Sequence, residues 1–266
     1  VRGTIGGMDR ALWFVAPRDV ALEPVDVPPI EHGEVLVRTA CSGVSAGTEL
    51  LAYRGELPAD LEVDESIGSL GGSFTYPFRY GYSCVGHVEA IAPDVTELAV
   101  GDRVFGFQPH QERFVAAAVE LVAVPSLEPR VGVMLPYVET ALQIVLDAGP
   151  LLGETVVVSG LGALGLLVAT LAGRAGAEVV GLEPQPWRRE MAAELGITAV
   201  DPADASDPRA GAADVPLVIE CSGNPAALAA ALDLLAHEGT ALVASWYGTK
   251  PVSLPLCGPF HRRRLT

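Results

Sequence analysis

The chain has no Cys-x-x-Cys pair, no surplus of basic charge and no apolar run long enough to cross a bilayer. Its four cysteines, Cys41, Cys84, Cys221 and Cys257, are widely spaced. That spacing suggests neither a disulfide framework nor a zinc ribbon, and it fits reduced thiols in the cytoplasm. The formal charge is −16, and phosphate binding needs a basic face, so nucleic acid and anionic membrane are excluded as expected partners. Lysine is almost missing: Lys250 is the single one among 17 basic residues, a bias that reads as base composition. The most apolar helical stretch, Leu161 to Ala172, is shorter than the roughly 20 residues of a spanning helix. With no basic region ahead of an apolar signal core at the N-terminus, a cytoplasmic protein is expected.

What is present is a globular composition, half hydrophobic over 266 residues. That length favours two domains sharing one active cleft over a single large core. The expected division is residues 1–127 and 128–266. In the first part, Pro and Gly punctuate short alternating runs such as Gly33 to Thr39 and Cys84 to Ala90, half-buried strands of a mainly β domain. Gly101-Asp102 reads as a turn feeding a strand at Arg103 to Phe105, and Arg113 to Val115 continues the sheet. In the second part the pattern alternates. A helix at Tyr137 to Leu146 precedes a strand at Thr155 to Ser159, a helix at Ala163 to Ala175 and a strand at Glu178 to Leu182. A helix at Trp187 to Leu195, strands at Thr198 to Val200 and Leu217 to Glu220, a helix at Pro225 to Ala236 and a strand at Thr240 to Ser245 follow. Such alternation predicts an α/β domain with a doubly wound parallel sheet.

Between the strand ending at Ser159 and the next helix lies Gly160-Leu161-Gly162-Ala163-Leu164-Gly165, the G-x-G-x-x-G pattern in the strand-to-helix setting it requires. Gly160 permits the tight turn, Gly162 lets the backbone approach a pyrophosphate, and Gly165 lets the helix pack closely on the strand. The diphosphate is expected on the free N–H groups at the helix start, around Ala163 and Leu164. Glu183 ends the following strand, where a carboxylate accepts hydrogen bonds from the adenosine ribose and repels a 2′-phosphate. NAD is therefore expected ahead of NADP. Arg188 and Arg189 argue the other way if they pair with that phosphate, and a solvated helix face is their other reading.

Taken with Gly33-Glu34-Val35-Leu36-Val37, Ser42-Gly43-Val44, Gly47-Thr48-Glu49, Val100-Gly101-Asp102-Arg103-Val104 and Val218-Ile219-Glu220-Cys221-Ser222-Gly223, this motif makes the chain resemble a medium-chain dehydrogenase/reductase. Nearly the whole length takes part. The resemblance implies a GroES-like mainly β catalytic domain followed by a Rossmann domain, a small-molecule substrate and a homodimer. It also implies a cofactor bordered by Cys221 and, on the nicotinamide side, by Thr140. Zinc members carry Cys-Gly-Thr-Asp where this chain has Ala46-Gly47-Thr48-Glu49, Gly-His-Glu where it has Gly81-Tyr82-Ser83, and a third ligand where it has Pro136. Alanine, tyrosine and proline cannot replace Cys and His in a tetrahedral site, so no zinc is expected. The cysteine-rich structural lobe is missing too. Ser42 to Glu49, Gly81 to Ser83 and Phe260 to Arg264 most resemble the group around bacteriochlorophyllide hydroxyethyl dehydrogenase, whose chemistry is secondary alcohol to ketone. Since a complete Rossmann sheet takes a sixth strand and the sequence stops at Thr266, a truncated domain is expected.

Without a metal, an alkoxide developing during hydride transfer needs hydrogen-bond donors. The resemblance puts Thr48 and Tyr82 beside the nicotinamide, Tyr82 either as donor or as packing in the vacated metal cavity. His110, in the loop that replaces the lobe, has the chemistry for proton transfer, its commoner reading being a surface-loop histidine. Arg262, Arg263 and Arg264 are read as facing an anion or as a solvated run. Two other functions fit these residues: a quinone or enoyl C=C reductase, and a dinucleotide-binding protein without turnover.

Overall fold

Val35 and Val37 are fully buried while Arg38 beside them is exposed, the period of two that makes a strand with one face on a core. In the second half Val156, Val157 and Val158 are all buried completely, as happens only in a strand covered on both faces. These two kinds of strand build two different units in the computed structural model, which describes residues 8–205 and 211–266. The chain divides between Pro136 and Tyr137.

The first unit contains β1 (Asp9–Ala16), β2 (Asp19–Val25), β3 (Glu34–Ser42), α1 (Thr48–Arg54), β4 (Phe78–Arg79), β5 (Cys84–Ile91), β6 (Arg103–Gly106), β7 (Arg113–Ala117), β8 (Val122–Ala123) and α2 (Pro129–Gly132). Five strands form an antiparallel sheet in the order β7-β3-β5-β6-β8, and β2-β1-β4 form a second. Val35, Val37, Val88, Val104 and Phe114 fill the main core. A separate aromatic cluster gathers Phe14, Phe74, Phe78 and Tyr80 over α1. The expected strands are present, each a residue or two longer than their runs of alternation. The hairpin β1–β2 and the helix α1 are additions that the sequence pattern did not announce.

The second unit contains α3 (Leu135–Asp147, which starts at the boundary), β9 (Thr155–Ser159), α4 (Ala163–Arg174), β10 (Glu178–Leu182), α5 (Pro186–Glu194), β11 (Thr198–Val200), β12 (Val215–Glu220), α6 (Pro225–Leu234) and β13 (Leu235–Val243). Its sheet is parallel throughout, in the order β11-β10-β9-β12-β13. Alternate residues of β9 serve opposite faces. Val156 and Val158 pack with Ala141 and Ile144 of α3 and Val168 and Ala172 of α4. Val157 packs with Ala231 and Leu232 of α6. Several boundaries move by a residue or two from expectation, and the largest shift is at β13, which starts at Leu235 directly after α6 instead of at Thr240, because it pairs back to Val215 across a register shift. Order reverses between β9 and β12, and the crevice beyond their carboxyl ends is where doubly wound sheets take ligands.

Candidate functional site

Both loops at that switch point carry the expected residues. Gly160 holds a φ of +92°, and a Cβ on it would lie 2.7 Å from the Cα of Ser222. A Cβ on Gly165 would lie 1.9 Å from the carbonyl oxygen of Gly160, so both glycines are needed for the turn to sit this closely on the loop after β12. Gly162, the N-cap of α4, gives no side chain to the helix, and a Cβ there would meet nothing within 4 Å. The amides at the start of α4, Ala163 and Leu164 among them, lie at the positive end of a helix dipole. Cys221 donates its N–H to the Ser159 carbonyl at 2.8 Å, and burial pushes its thiol up to about 12.

Glu183 is 2% exposed. Its Oε2 accepts the Leu161 N–H at 3.0 Å and its Oε1 accepts the Gln185 N–H at 3.0 Å, so the carboxylate props the glycine loop from beneath. Arg188 reaches Glu183 Oε2 at 3.4 Å and lies over the Trp187 ring, 5.0 Å from its centroid. Arg189 donates to the Glu183 carbonyl at 2.6 Å and pairs with Asp201 at 3.2 Å. Neither arginine belongs to a plain solvated face, because α5 turns both back onto the end of β10. Thr140 is exposed on α3, its hydroxyl donating to Glu139 at 3.5 Å.

A second buried carboxylate escaped the sequence reading. Glu220, the last residue of β12, is completely buried. Its Oε1 accepts from the Ser222 N–H at 2.6 Å and the Gly223 N–H at 3.1 Å, and its Oε2 accepts the Tyr247 hydroxyl at 2.6 Å. Burial first, then the hydrogen bond to Glu220 and its charge, push the Tyr247 phenol upward. The arginine run is also tied down locally: Arg263 donates to the carbonyls of Asp233 and Leu235, and Arg264 pairs with Glu238 at 2.6 Å.

In the first unit the candidates meet around α1. Thr48 opens that helix, its N–H donating to Ser45 Oγ at 3.3 Å. Glu49 reaches back, its Oε1 accepting the Ser45 N–H at 2.8 Å, a reciprocal arrangement of the capping-box kind. Tyr82 is partly buried against the aromatic cluster, 6.1 Å from Tyr80. His110 corrects the surface-loop reading: it is 6% exposed. Its N–H donates to the Tyr80 carbonyl at 3.1 Å and its carbonyl accepts the Leu12 N–H at 2.9 Å, so β1 and the segment after β4 pin the backbone and turn the ring inward. There Nε2 meets Glu49 Oε2 at 2.7 Å and Nδ1 meets Ser42 Oγ at 2.9 Å.

Two family descriptions match the chain: the alcohol dehydrogenase GroES-like domain over residues 31–140 and the zinc-binding dehydrogenase over residues 163–266. D-guloside 3-dehydrogenase of Escherichia coli is 31% identical over 254 residues, spanning 87% of this chain and 72% of that one. The 2-desacetyl-2-hydroxyethyl bacteriochlorophyllide A dehydrogenase of Cereibacter sphaeroides is 30% identical over 268 residues, spanning 94% and 77%. Among solved structures, a putative zinc-binding dehydrogenase from Sinorhizobium meliloti bound to NADP superposes with a TM-score of 0.78 at 23% identity, over 98% of this chain and 83% of that one. The fold is that of a two-domain dehydrogenase, a GroES-like domain followed by a Rossmann-like parallel sheet. The chain belongs to the medium-chain, alcohol dehydrogenase-like superfamily, and it is an oxidoreductase.

Proposed function

We propose that the chain moves a hydride between NAD(H) and a secondary alcohol or its ketone, without zinc. The observation that carries the reading is the glycine loop of β9 and α4, with nothing within 4 Å of a Cβ on Gly162 and with Glu183 buried and accepting the Leu161 N–H. That loop fits a dinucleotide: Gly160, Gly162 and Gly165 would take the diphosphate with the N–H groups of Ala163 and Leu164. Glu183 and Cys221 would border the adenosine side, and Thr140 the nicotinamide side. When bound, the nicotinamide supplies the acceptor or donor of the hydride. Glu183 favours NAD over NADP by its charge, and Arg188, already held against it, is the residue through which NADP would be admitted.

The residues do not fit a zinc ion. Ala46 and Pro136 have no donor atom to offer and Tyr82 packs among aromatic rings, whereas tetrahedral zinc needs Cys, His or carboxylate ligands. Among the described residues, no group of three or more His, Cys, Asp or Glu side chains is placed to hold a metal ion. The polarisation that zinc would supply then falls to Thr48 and Tyr82 as hydrogen-bond donors and to His110 as proton carrier. The alcohol class is supported by relatives whose names state dehydrogenation of a guloside at carbon 3 and of a hydroxyethyl group. A homodimer and a cytoplasmic setting complete the proposal.

The test is a panel of secondary alcohols, saturated ketones and conjugated enones, each assayed with NAD(H) and NADP(H). Turnover of alcohols and ketones with NAD(H) preferred is expected, and Glu183→Ala narrows the cofactor gap. Reduction of enones alone would replace this reading with that of a C=C reductase. Tight dinucleotide binding without turnover anywhere on the panel would leave a binding protein.

A further inference from the structure

Ser42, His110 and Glu49 come from β3, the loop before β7 and the first turn of α1, and they meet in one hydrogen-bonded line inside the first unit. Side-chain exposure is 7% for His110 and 3% for Glu49. A carboxylate and an imidazole in so dry a place incur a desolvation cost that a structural contact alone does not require, since apolar residues of equal volume would serve as well. Space has been kept for the ring: a Cβ on Gly81 would lie 2.8 Å from both Nε2 and Cδ2 of His110.

The line has a direction. With Glu49 Oε2 as the acceptor, the ring proton stands on Nε2 and Nδ1 is left to accept from the Ser42 hydroxyl. Ser42, half-buried at the end of β3, is the end nearest water. Near Glu49 stand Tyr80 after β4, with Tyr82 and Asp64 beside it, and Cys84 on β5, with Cys41 beside it. Burial holds the Tyr80 phenol well above its ordinary range, and burial together with the Glu49 charge pushes Cys84 up to about 12. Those two keep their protons at working pH, and the imidazole is the member of the line with both a donor and an acceptor nitrogen.

We propose that Ser42, His110 and Glu49 form a proton relay that serves the hydride transfer, with Ser42 passing the proton, His110 holding it and Glu49 acting as the positioning residue. The inference rests on the alcohol–ketone reading above. In oxidation the carbinol hydrogen leaves as hydride to the nicotinamide and the hydroxyl proton leaves separately. Ser42 Oγ takes that proton as its own moves to His110 Nδ1, and Glu49 balances the imidazolium. Once the ketone has left, the proton returns from His110 Nδ1 through Ser42 to water, one per hydride, and reduction runs the same steps backwards.

Two measurements test the relay. The first is ¹⁵N NMR of histidine-labelled protein, with the His110 ring signals assigned by their loss in His110→Asn. The expected neutral form carries its proton on Nε2 with Nδ1 bare, and Glu49→Gln redistributes the proton between the two nitrogens. A proton on Nδ1 in the parent protein overturns the relay, whatever the substrate proves to be. The second is steady-state kinetics of Ser42 variants. Ser42→Ala should lower kcat about 100-fold, with KM and dinucleotide affinity within about twofold, and Ser42→Thr should recover most of the loss. A kcat within about threefold of the parent in Ser42→Ala overturns the relay. Failure of every alcohol and ketone on the panel would instead count against the functional reading, while the nitrogen spectra still decide the wiring.

Discussion

Single residues in this chain carry constraints that their types alone do not show. Gly81 combines a φ of +118° with an imidazole pressed against its α-carbon, while Gly101 has a φ of +97° and only open space within 4 Å of where a Cβ would stand. Both alanine variants therefore suffer backbone strain, on the order of 1–3 kcal/mol. Only Gly81→Ala must also displace His110. Urea unfolding should show Gly81→Ala less stable than Gly101→Ala by about 1–3 kcal/mol, the usual cost of overpacking, and equal costs would contradict the packing of His110 on Gly81. The buried thiols make a pH prediction. Cys84 and Cys221 are both pushed from 9.0 up to about 12, so between those values the unfolded chain gives up thiol protons that the folded chain keeps. Stability is unaffected by them below about pH 9 and falls as pH rises towards 12, at up to about 1.4 kcal/mol per pH unit for Cys84. Urea midpoints at pH 8 and pH 10.5 check this, and a midpoint that does not fall would contradict the burial of these groups.

At the scale of elements, what could be read in the sequence depended on how local its cause was. β9, β10 and β11 are continuous apolar runs closed by glycine, proline or a charge, and they lie where the pattern predicts. The β1–β2 hairpin escaped because β2 is an edge strand that buries little, contains Pro24 and turns through Arg18 at a φ of +66°, where turn chemistry would lead one to look for Gly or Asn. α1 has seven residues, too few for a period of 3.6 to register, and its N-cap is Gly47 without a side chain, the capping being supplied by Ser45 and Glu49. The glycine loop was legible because one stretch of chain builds it. His110 was legible as a residue type but not as a place: its partners lie 61 and 68 positions away in sequence. Contacts with β1 and with Tyr80 after β4 hold that loop where His110 meets Glu49. Glu220 and Tyr247 were missed for the same reason, being 27 positions apart.

In the molecule as a whole, a glycine loop of the dinucleotide-binding pattern accompanies Ala46, Tyr82 and Pro136 at the positions where the resemblance to zinc members would put metal ligands. The same unit buries the imidazole–carboxylate pair of His110 and Glu49, which on the reading proposed above carries a proton instead of polarising a carbonyl as a metal would. The acidic surface implied by a net charge of −16 favours a substrate that is neutral or cationic over a polyanion. Hydride transfer without zinc stands or falls on the turnover of protein dialysed against a strong chelator, with zinc per chain measured on the same sample. Far less than one zinc per chain and an unchanged kcat for a secondary alcohol with NAD are expected. A rate that disappears with the metal and returns when zinc is added back would contradict the zinc-free mechanism.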